Sequence, residues 1–232
     1  MLRLSRFKKQ ELAWLDTHYC KHGHKYSSHL NCIETEKPDM CPARERVGIL
    51  DIETEDLNAD YGIVFSYCFK IIGEKKIYYD IVSPEDFKKY ERKINGQAIE
   101  DTRIIKHLLE DLKNADRIVG HYSSGFDLPF MRTRAVICGL EFPYYGDYVQ
   151  SDTWMILKKK FKLSRNSLDN GVRNLTGKSN KNHLSLNLKH GIILGKKWAQ
   201  DYCLEHNKRD VLDTERLYLK IRNYAKINKS SI

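Results

Sequence analysis

No run in the 232 residues approaches the ~18 consecutive apolar residues of a membrane-crossing helix, so no membrane partner is expected. The basic start from Met1 to Lys9 has no apolar stretch behind it, which argues against a secretory signal and for a cytoplasmic chain. Six cysteines (Cys20, Cys32, Cys41, Cys68, Cys138 and Cys203) are too thinly spread for a disulfide scaffold. Cys68 and Cys138, in apolar segments, read as small buried residues. There is no Cys-x-x-Cys pair and no internal repeat. Acidic residues are scarce in one place: between Ile156 and Gln200 only Asp169 opposes eleven Lys and Arg residues. The whole chain carries 40 Lys and Arg against 31 Asp and Glu, a net charge of +9, so this segment accounts for the excess. It reads either as a phosphate-binding surface or as a well-solvated lysine face.

What is present is a folded α/β pattern. Hydrophobic residues make up 41% of the chain, enough for one sizeable core or for one domain plus an appendage. Residues 1–46 have few aliphatic runs and many His and Cys, and read as an N-terminal extension. Residues 47–225 read as the main domain and 226–232 as a flexible tail. Val47–Glu53, Tyr61–Ile72 and Lys76–Val82 are predicted strands, the last two joined as a hairpin by Gly73-Glu74-Lys75. Asp101–Asn114 is a predicted helix with Asp101 as its cap, and Arg117–His121 a short strand. Helices are predicted over Phe126–Cys138, Trp154–Phe161, Ser167–Leu175 and within Lys196–Tyr224. Strands first, then mixed elements, imply a mixed β-sheet flanked by helices.

The first strand ends in Asp51-Ile52-Glu53-Thr54. Residues two apart on a strand share a face, so Asp51 and Glu53 point into one place. Carboxylates that close repel unless they are protonated or bridged by a cation, and oxygen-rich clusters suit Mg²⁺ or Mn²⁺. Alone the pair fits a solvated strand end as well. Further acids change that. Gly120-His121-Tyr122-Ser123-Ser124-Gly125-Phe126-Asp127 leaves a strand, crosses a small-residue loop and opens a helix with Asp127, where the helix dipole also favours an acid. His206 and Asp210 are four apart and share a helix face, followed by an apolar stripe of Val211, Thr214, Leu217, Tyr218 and Ile221.

These motifs, in this order, resemble the DEDD (DnaQ-like) 3′–5′ exonucleases, whose fold is ribonuclease H-like. The resemblance covers about residues 47–224 and is nearest to the exonuclease domains of family B DNA polymerases and to predicted stand-alone ribonuclease H-like exonucleases. Ser151-Asp152-Thr153 and Asn166-Ser167-Leu168-Asp169 resemble the family's signposts between its second and third motifs. It implies that Asp51, Glu53, Asp127 and Asp210 hold two Mg²⁺ or Mn²⁺ ions and that His206 acts on the attacking water. Nucleic acid 3′ ends, DNA or RNA with single-stranded DNA favoured, are the implied substrate. The chain departs from the family at two places. Tyr122 stands where many relatives have Asn, and His206 occupies a position that one branch gives to Tyr.

Chemistry supports the same reading, because two divalent ions activate water, neutralise the transferring phosphoryl group and assist the leaving oxygen. A neutral His206, with an ordinary pKa of roughly 6.5, can take or orient the water's proton. Two other readings fit the residues: an endonuclease on the same scaffold, and a non-catalytic, zinc-containing nucleic-acid-binding module.

The extension concentrates His18, Cys20, His22, His24, His29, Cys32 and Cys41, seven soft ligands within 24 residues. Structural zinc takes four such groups. Cys20 with His24 and His29 with Cys32 are the expected pairs, with Cys41, His22 and His18 as alternatives.

Overall fold

A computed structural model of the chain describes residues 7, 9–36, 45–89, 100–144, 146–177 and 186–225. The expected tail 226–232 lies outside the described residues, as do Cys41, Lys178 and Lys181. The chain divides into two compact units, Met1–Glu45 and Arg46–Ile232.

The first unit contains two short helices, α1 (Lys9–Thr17) and α2 (Asn31–Glu36), with a β-bridge between Tyr19 and Lys25 in the turn that joins them. Its core consists of buried Leu15, Cys20, Tyr26, Cys32 and Ile33, edged by Phe7, Leu12, Trp14 and Leu30. The sequence pattern predicts neither helix, because too few aliphatic residues recur at helical spacing to mark them.

The second unit is built on a five-stranded mixed sheet of order β3-β2-β1-β4-β5. The strands are β1 (Val47–Thr54), β2 (Val64–Ile71), β3 (Tyr78–Ile81), β4 (Arg117–Gly120) and β5 (Val149–Asp152). β1 pairs antiparallel with β2 and parallel with β4; β2 and β3 are antiparallel, and β4 and β5 parallel. The central strand therefore has neighbours on both edges, which suits its apolar run Val47-Gly48-Ile49-Leu50. Period-two alternation sends Leu50 and Ile52 to one face and Ile49, Asp51 and Glu53 to the other. The Leu50 face packs into the large core with Ile104, Ile105, Leu108 and Leu112 of α4 (Thr102–Leu112). The Ile49 face is covered by α9 (Lys197–Ile221), whose Val211 and Tyr218 cluster with Ile49, Cys68 and Val119.

The remaining helices are α3 (Pro84–Lys89), α5 (Asp127–Ile137), α6 (Thr153–Lys160), α7 (Leu168–Thr176) and α8 (Leu186–Ile193). The mixed sheet flanked by helices agrees with the sequence. Three elements go beyond it: α3, β5 and α8. β5 has the sequence Val-Gln-Ser-Asp, a polar edge strand with a single strong strand former. α8 runs through Gly191, where a Cβ would lie 2.8 Å from that of Ala199; the glycine lets α8 approach α9 closely. β2 begins later than expected because Asn58 to Gly62 forms a turn, with the Gly62 N–H donating to the Asn58 carbonyl at 2.9 Å. Cys68 is buried as expected, while Cys138 is only partly so. No described helix is long and apolar enough to cross a membrane.

Asp101 has the sequence position of a cap for α4, yet its side chain makes no capping bond. Its carboxylate instead receives two bonds from Arg134, at 2.9 and 2.7 Å, and one from the Val64 N–H at 2.9 Å. Both side chains are fully buried, and Arg134 also donates to the Ala59 carbonyl at 3.0 Å. One ion pair thus ties together the start of α4, the end of α5, the entry to β2 and the loop before it. A cap and a buried ion-pair partner look alike in one dimension, since both are an acid ahead of a helix.

Removing one member of such a pair strands a charge in the core. Arg134→Met is therefore expected to cost about 3–5 kcal/mol in urea unfolding. Lys113→Ala, which breaks the exposed pair with Glu110, should leave the unfolding midpoint essentially unchanged.

Candidate active site

Three elements, β1, α5 and α9, bring acids to one end of the sheet. β1 delivers Asp51 and Glu53 on the α9 face, and its pairing shifts register between Glu53 and Thr54. A bulge of this kind bends the strand and re-aims its last side chains. α9 lies across that face and contributes His206, Asn207 and Asp210 from successive turns. The helix is anchored by Val211 and Tyr218 in the core and by Glu215, which accepts from Lys70 of β2 at 2.7 Å. His206 Nδ1 lies 3.3 Å from Glu53 Oε1 and 3.7 Å from Asp210 Oδ2. One ligand atom from each of Glu53, His206 and Asp210 falls within 4.8 Å of the others, a spacing that one cation can bridge.

Asp51 sits beside this group, and the fully buried Asn207 donates to its Oδ2 at 2.6 Å. Sequence reasoning misses Asn207, because an Asn one position after a candidate His carries no motif signal. Burial first, and then the charges of Asp210, Asp127 and Glu53, hold the Asp51 carboxyl well above the usual range, against the pull of the Asn207 amide. Asp127, at the first position of α5, is also buried, and its Oδ1 accepts the Ile52 N–H at 3.2 Å. Burial pushes its pKa up to about 7; hydrogen bonds from its own and the Ile52 backbone oppose the rise, and the charges of Asp152 and Glu53 add to it.

Asp152 organises the approach to Asp127. It caps α6 by accepting the N–H groups of Trp154 at 2.9 Å and Met155 at 3.3 Å. The same carboxylate takes the N–H of Tyr122 at 2.9 Å, the N–H of Ser124 at 3.0 Å and the Ser124 hydroxyl. The loop between β4 and α5 is thereby locked, with Tyr122 held at φ 63°, a conformation disfavoured for a bulky residue. The residue that marks a signpost in the sequence is thus a clamp in the fold.

Oxygen donors this crowded suit hard divalent cations. The raised Asp51 and Asp127 mark buried negative charge that a cation would relieve. The residue set therefore fits Mg²⁺ or Mn²⁺ at Asp51, Glu53, Asp127 and Asp210.

In the Met1–Glu45 unit, Cys20, His29 and Cys32 converge as expected, but the fourth member is His22 and not His24. The Gly23 N–H donates to the Cys20 carbonyl at 2.8 Å, and Gly23 takes φ 77°. This tight turn folds His22 back towards Cys20. The His24 ring instead packs edge-on to His29, with centroids 5.0 Å apart. His18 stacks on Trp14 at 4.0 Å, outside the group.

The raised acids give the metal-free protein a distinct pH response. An Asp titrates near about 3.9 in the unfolded chain, whereas Asp127 titrates at about 7 when folded. Between those values the native state holds the extra proton, so stability falls as pH rises. Melting in EDTA should show a Tm that drops from about pH 5 to pH 8, each lost kcal/mol lowering it by about 2–4 °C. Asp127→Asn should flatten that drop, and excess Mg²⁺ at pH 8 should reverse it in the wild type.

Residues 79–176 match the model of a family described as a predicted 3′-5′ exonuclease related to the exonuclease domain of PolB. That segment contains Asp127 and Asp152 and stops short of both β1 and α9. No curated protein matches the chain significantly. Among solved structures, the family B DNA polymerase from the hyperthermophilic archaeon Pyrobaculum calidifontis matches with a TM-score of 0.56 and 18% identity. The match covers 78% of this chain and 24% of that one, so the chain spans about a quarter of the polymerase's length. At this identity the likeness shows a shared fold. The matched segment and that fold together relate the chain to the DnaQ-like exonucleases of the ribonuclease H-like fold.

Proposed function

We propose that the chain is a metal-dependent 3′–5′ exonuclease that hydrolyses phosphodiester bonds of nucleic acid, with single-stranded DNA favoured. The observation that carries this reading is the convergence of Asp51, Glu53, Asp127 and Asp210, with His206 between two of them. When bound, two divalent cations supply charge neutralisation for the phosphoryl group and lower the pKa of water. Asp51, Glu53, Asp127 and Asp210 hold them. Asn207 keeps the Asp51 carboxylate in one orientation. His206, set between Glu53 and Asp210, takes or orients the proton of the attacking water. Asp152 acts at one remove as a positioning residue, holding the loop that leads to Asp127.

A route for the strand leads towards these groups. Tyr122 is half exposed and meets Trp154 edge-on, with ring centroids 5.0 Å apart. Lys158 lies over the Trp154 ring at 4.7 Å, and Lys159, Lys160, Lys162 and Arg165 follow, all exposed. Aromatic faces next to a basic ridge are the means by which single strands are held without sequence preference.

With a 5′-labelled single strand and Mg²⁺ or Mn²⁺, the expected product is a ladder shortened from the 3′ end; internal cuts alone would instead indicate an endonuclease. Asp51→Asn should abolish the ladder while keeping or raising stability in EDTA, because it removes one repelling charge. His206→Ala should leave a slow enzyme, down by about 10²–10⁴-fold. Full activity in either variant would overturn the assignment. Replacing Lys158, Lys159 and Lys160 by Ala should weaken strand binding and lower the slope of log K against log salt by about 0.7 for each phosphate that is no longer neutralised.

A further inference from the structure

Among the described residues of the Met1–Glu45 unit, Cys20 and Cys32 are two of the five fully or nearly buried core residues, and they are not joined by a disulfide. Chains of roughly 40 residues bury too little surface to be stable unaided and commonly rely on disulfides or metals. We propose that Cys20, His22, His29 and Cys32 bind one Zn²⁺ in a closed tetrahedral site that holds this unit together.

The geometry is that of a coordination shell. The four sulfur-to-nitrogen edges are Cys20 Sγ to His22 Nδ1 at 3.8 Å and to His29 Nδ1 at 3.4 Å, and Cys32 Sγ to His22 Nδ1 at 3.2 Å and to His29 Nδ1 at 3.4 Å. A tetrahedral ion with Zn–S of about 2.3 Å and Zn–N of about 2.0–2.1 Å has S···N edges of about 3.5–3.6 Å. All four ligand atoms lie within 4.8 Å of one another.

Each pair of ligands comes from a separate local device. Cys20 and His22 stand on the tight turn closed by Gly23, whose N–H donates to the Cys20 carbonyl, while the Cys20 N–H donates to the His24 carbonyl at 2.9 Å. His29 precedes α2 and Cys32 lies in its first turn, where the Cys32 N–H donates to the His29 carbonyl at 3.0 Å. Glu36, at the end of α2, accepts the Lys21 N–H and the Tyr26 hydroxyl and so clasps the turn to the helix. Two thiolates neutralise a divalent ion, and four protein ligands leave no open position, which makes the site structural rather than catalytic.

The test uses the full chain, untagged and purified without chelator. Elemental analysis should give about one zinc per chain, and replacement by Co²⁺ should give the strong visible bands of a tetrahedral ion with thiolate charge transfer. His22→Ala and Cys32→Ser should lose the metal or bind it far more weakly, and His24→Ala should keep it. Should Cys32→Ser fail to fold, the Co²⁺ spectrum of the wild type still reports tetrahedral geometry and thiolate ligation. A protein with Asp51→Asn and Asp210→Asn should retain its full zinc, which separates this site from the carboxylate centre. Negligible zinc even after incubation with Zn²⁺, a Cys20–Cys32 disulfide in its place, loss in His24→Ala with retention in His22→Ala, or loss with the Asp variants would each overturn the proposal.

Discussion

The mutual repulsion of Asp51, Glu53, Asp127 and Asp210 is the constraint that the larger unit is built to withstand. Each acid comes from an element with its own anchor. β1 is the sheet's central strand, hydrogen-bonded on both edges. α9 is fastened by its apolar stripe and by the Lys70–Glu215 pair. The start of α5 is held by the loop that Asp152 clamps, and its far end by Arg134 on Asp101. Moving the acids apart would require breaking a strand ladder, core packing or a buried ion pair, so the repulsion is relieved by uptake of a proton or, on the proposed reading, by a cation.

The contrast among buried charges is informative. Asp101 has Arg134, Asp86 has Arg103 and Glu215 has Lys70. Asp51 and Asp127 instead receive an amide and a backbone N–H, donors that orient a carboxylate without cancelling its charge. Asp101, Asp86 and Glu215 follow the first pattern, because unpaired buried charge is costly. Asp51 and Asp127 follow the second, as Asp152 does; on the proposed reading a lysine or arginine beside Asp51 or Asp127 would compete with the cation.

The legible parts of the sequence were those set by periodicity. Asp51 and Glu53 share a face because strands alternate, and His206 and Asp210 because a helix returns after four residues; neither depends on distant chain. What tertiary contact decides was not legible. Asp101 resembles a cap until Arg134, 33 residues later, claims it. Asn207 acquires meaning only when α9 lies over β1. β5 becomes a strand because β4 offers it an edge, and nothing in Val-Gln-Ser-Asp itself demands it. For His22 and His24 the deciding feature was one glycine: a left-handed Gly23 folds the turn so that the residue before it, not the one after, faces Cys20.

On the proposed readings the two units meet one electrostatic requirement with opposite chemistry. Four carboxylates balance two divalent ions in the larger unit, as two thiolates balance one in the smaller. Oxygen donors favour hard, water-retaining ions that exchange readily and leave room for substrate. Thiolate and imidazole favour zinc and close its shell. His206 is the one soft donor among the hard ones, and its neighbours explain why it need not recruit zinc there. Its Nδ1 lies 3.3 Å from the Glu53 carboxylate, and the other member of that group, Asp210, also offers oxygen rather than sulfur. A lone imidazole in that setting is better suited to handling a proton than to selecting a metal, which is the role a hydrolytic centre requires of the group beside its water.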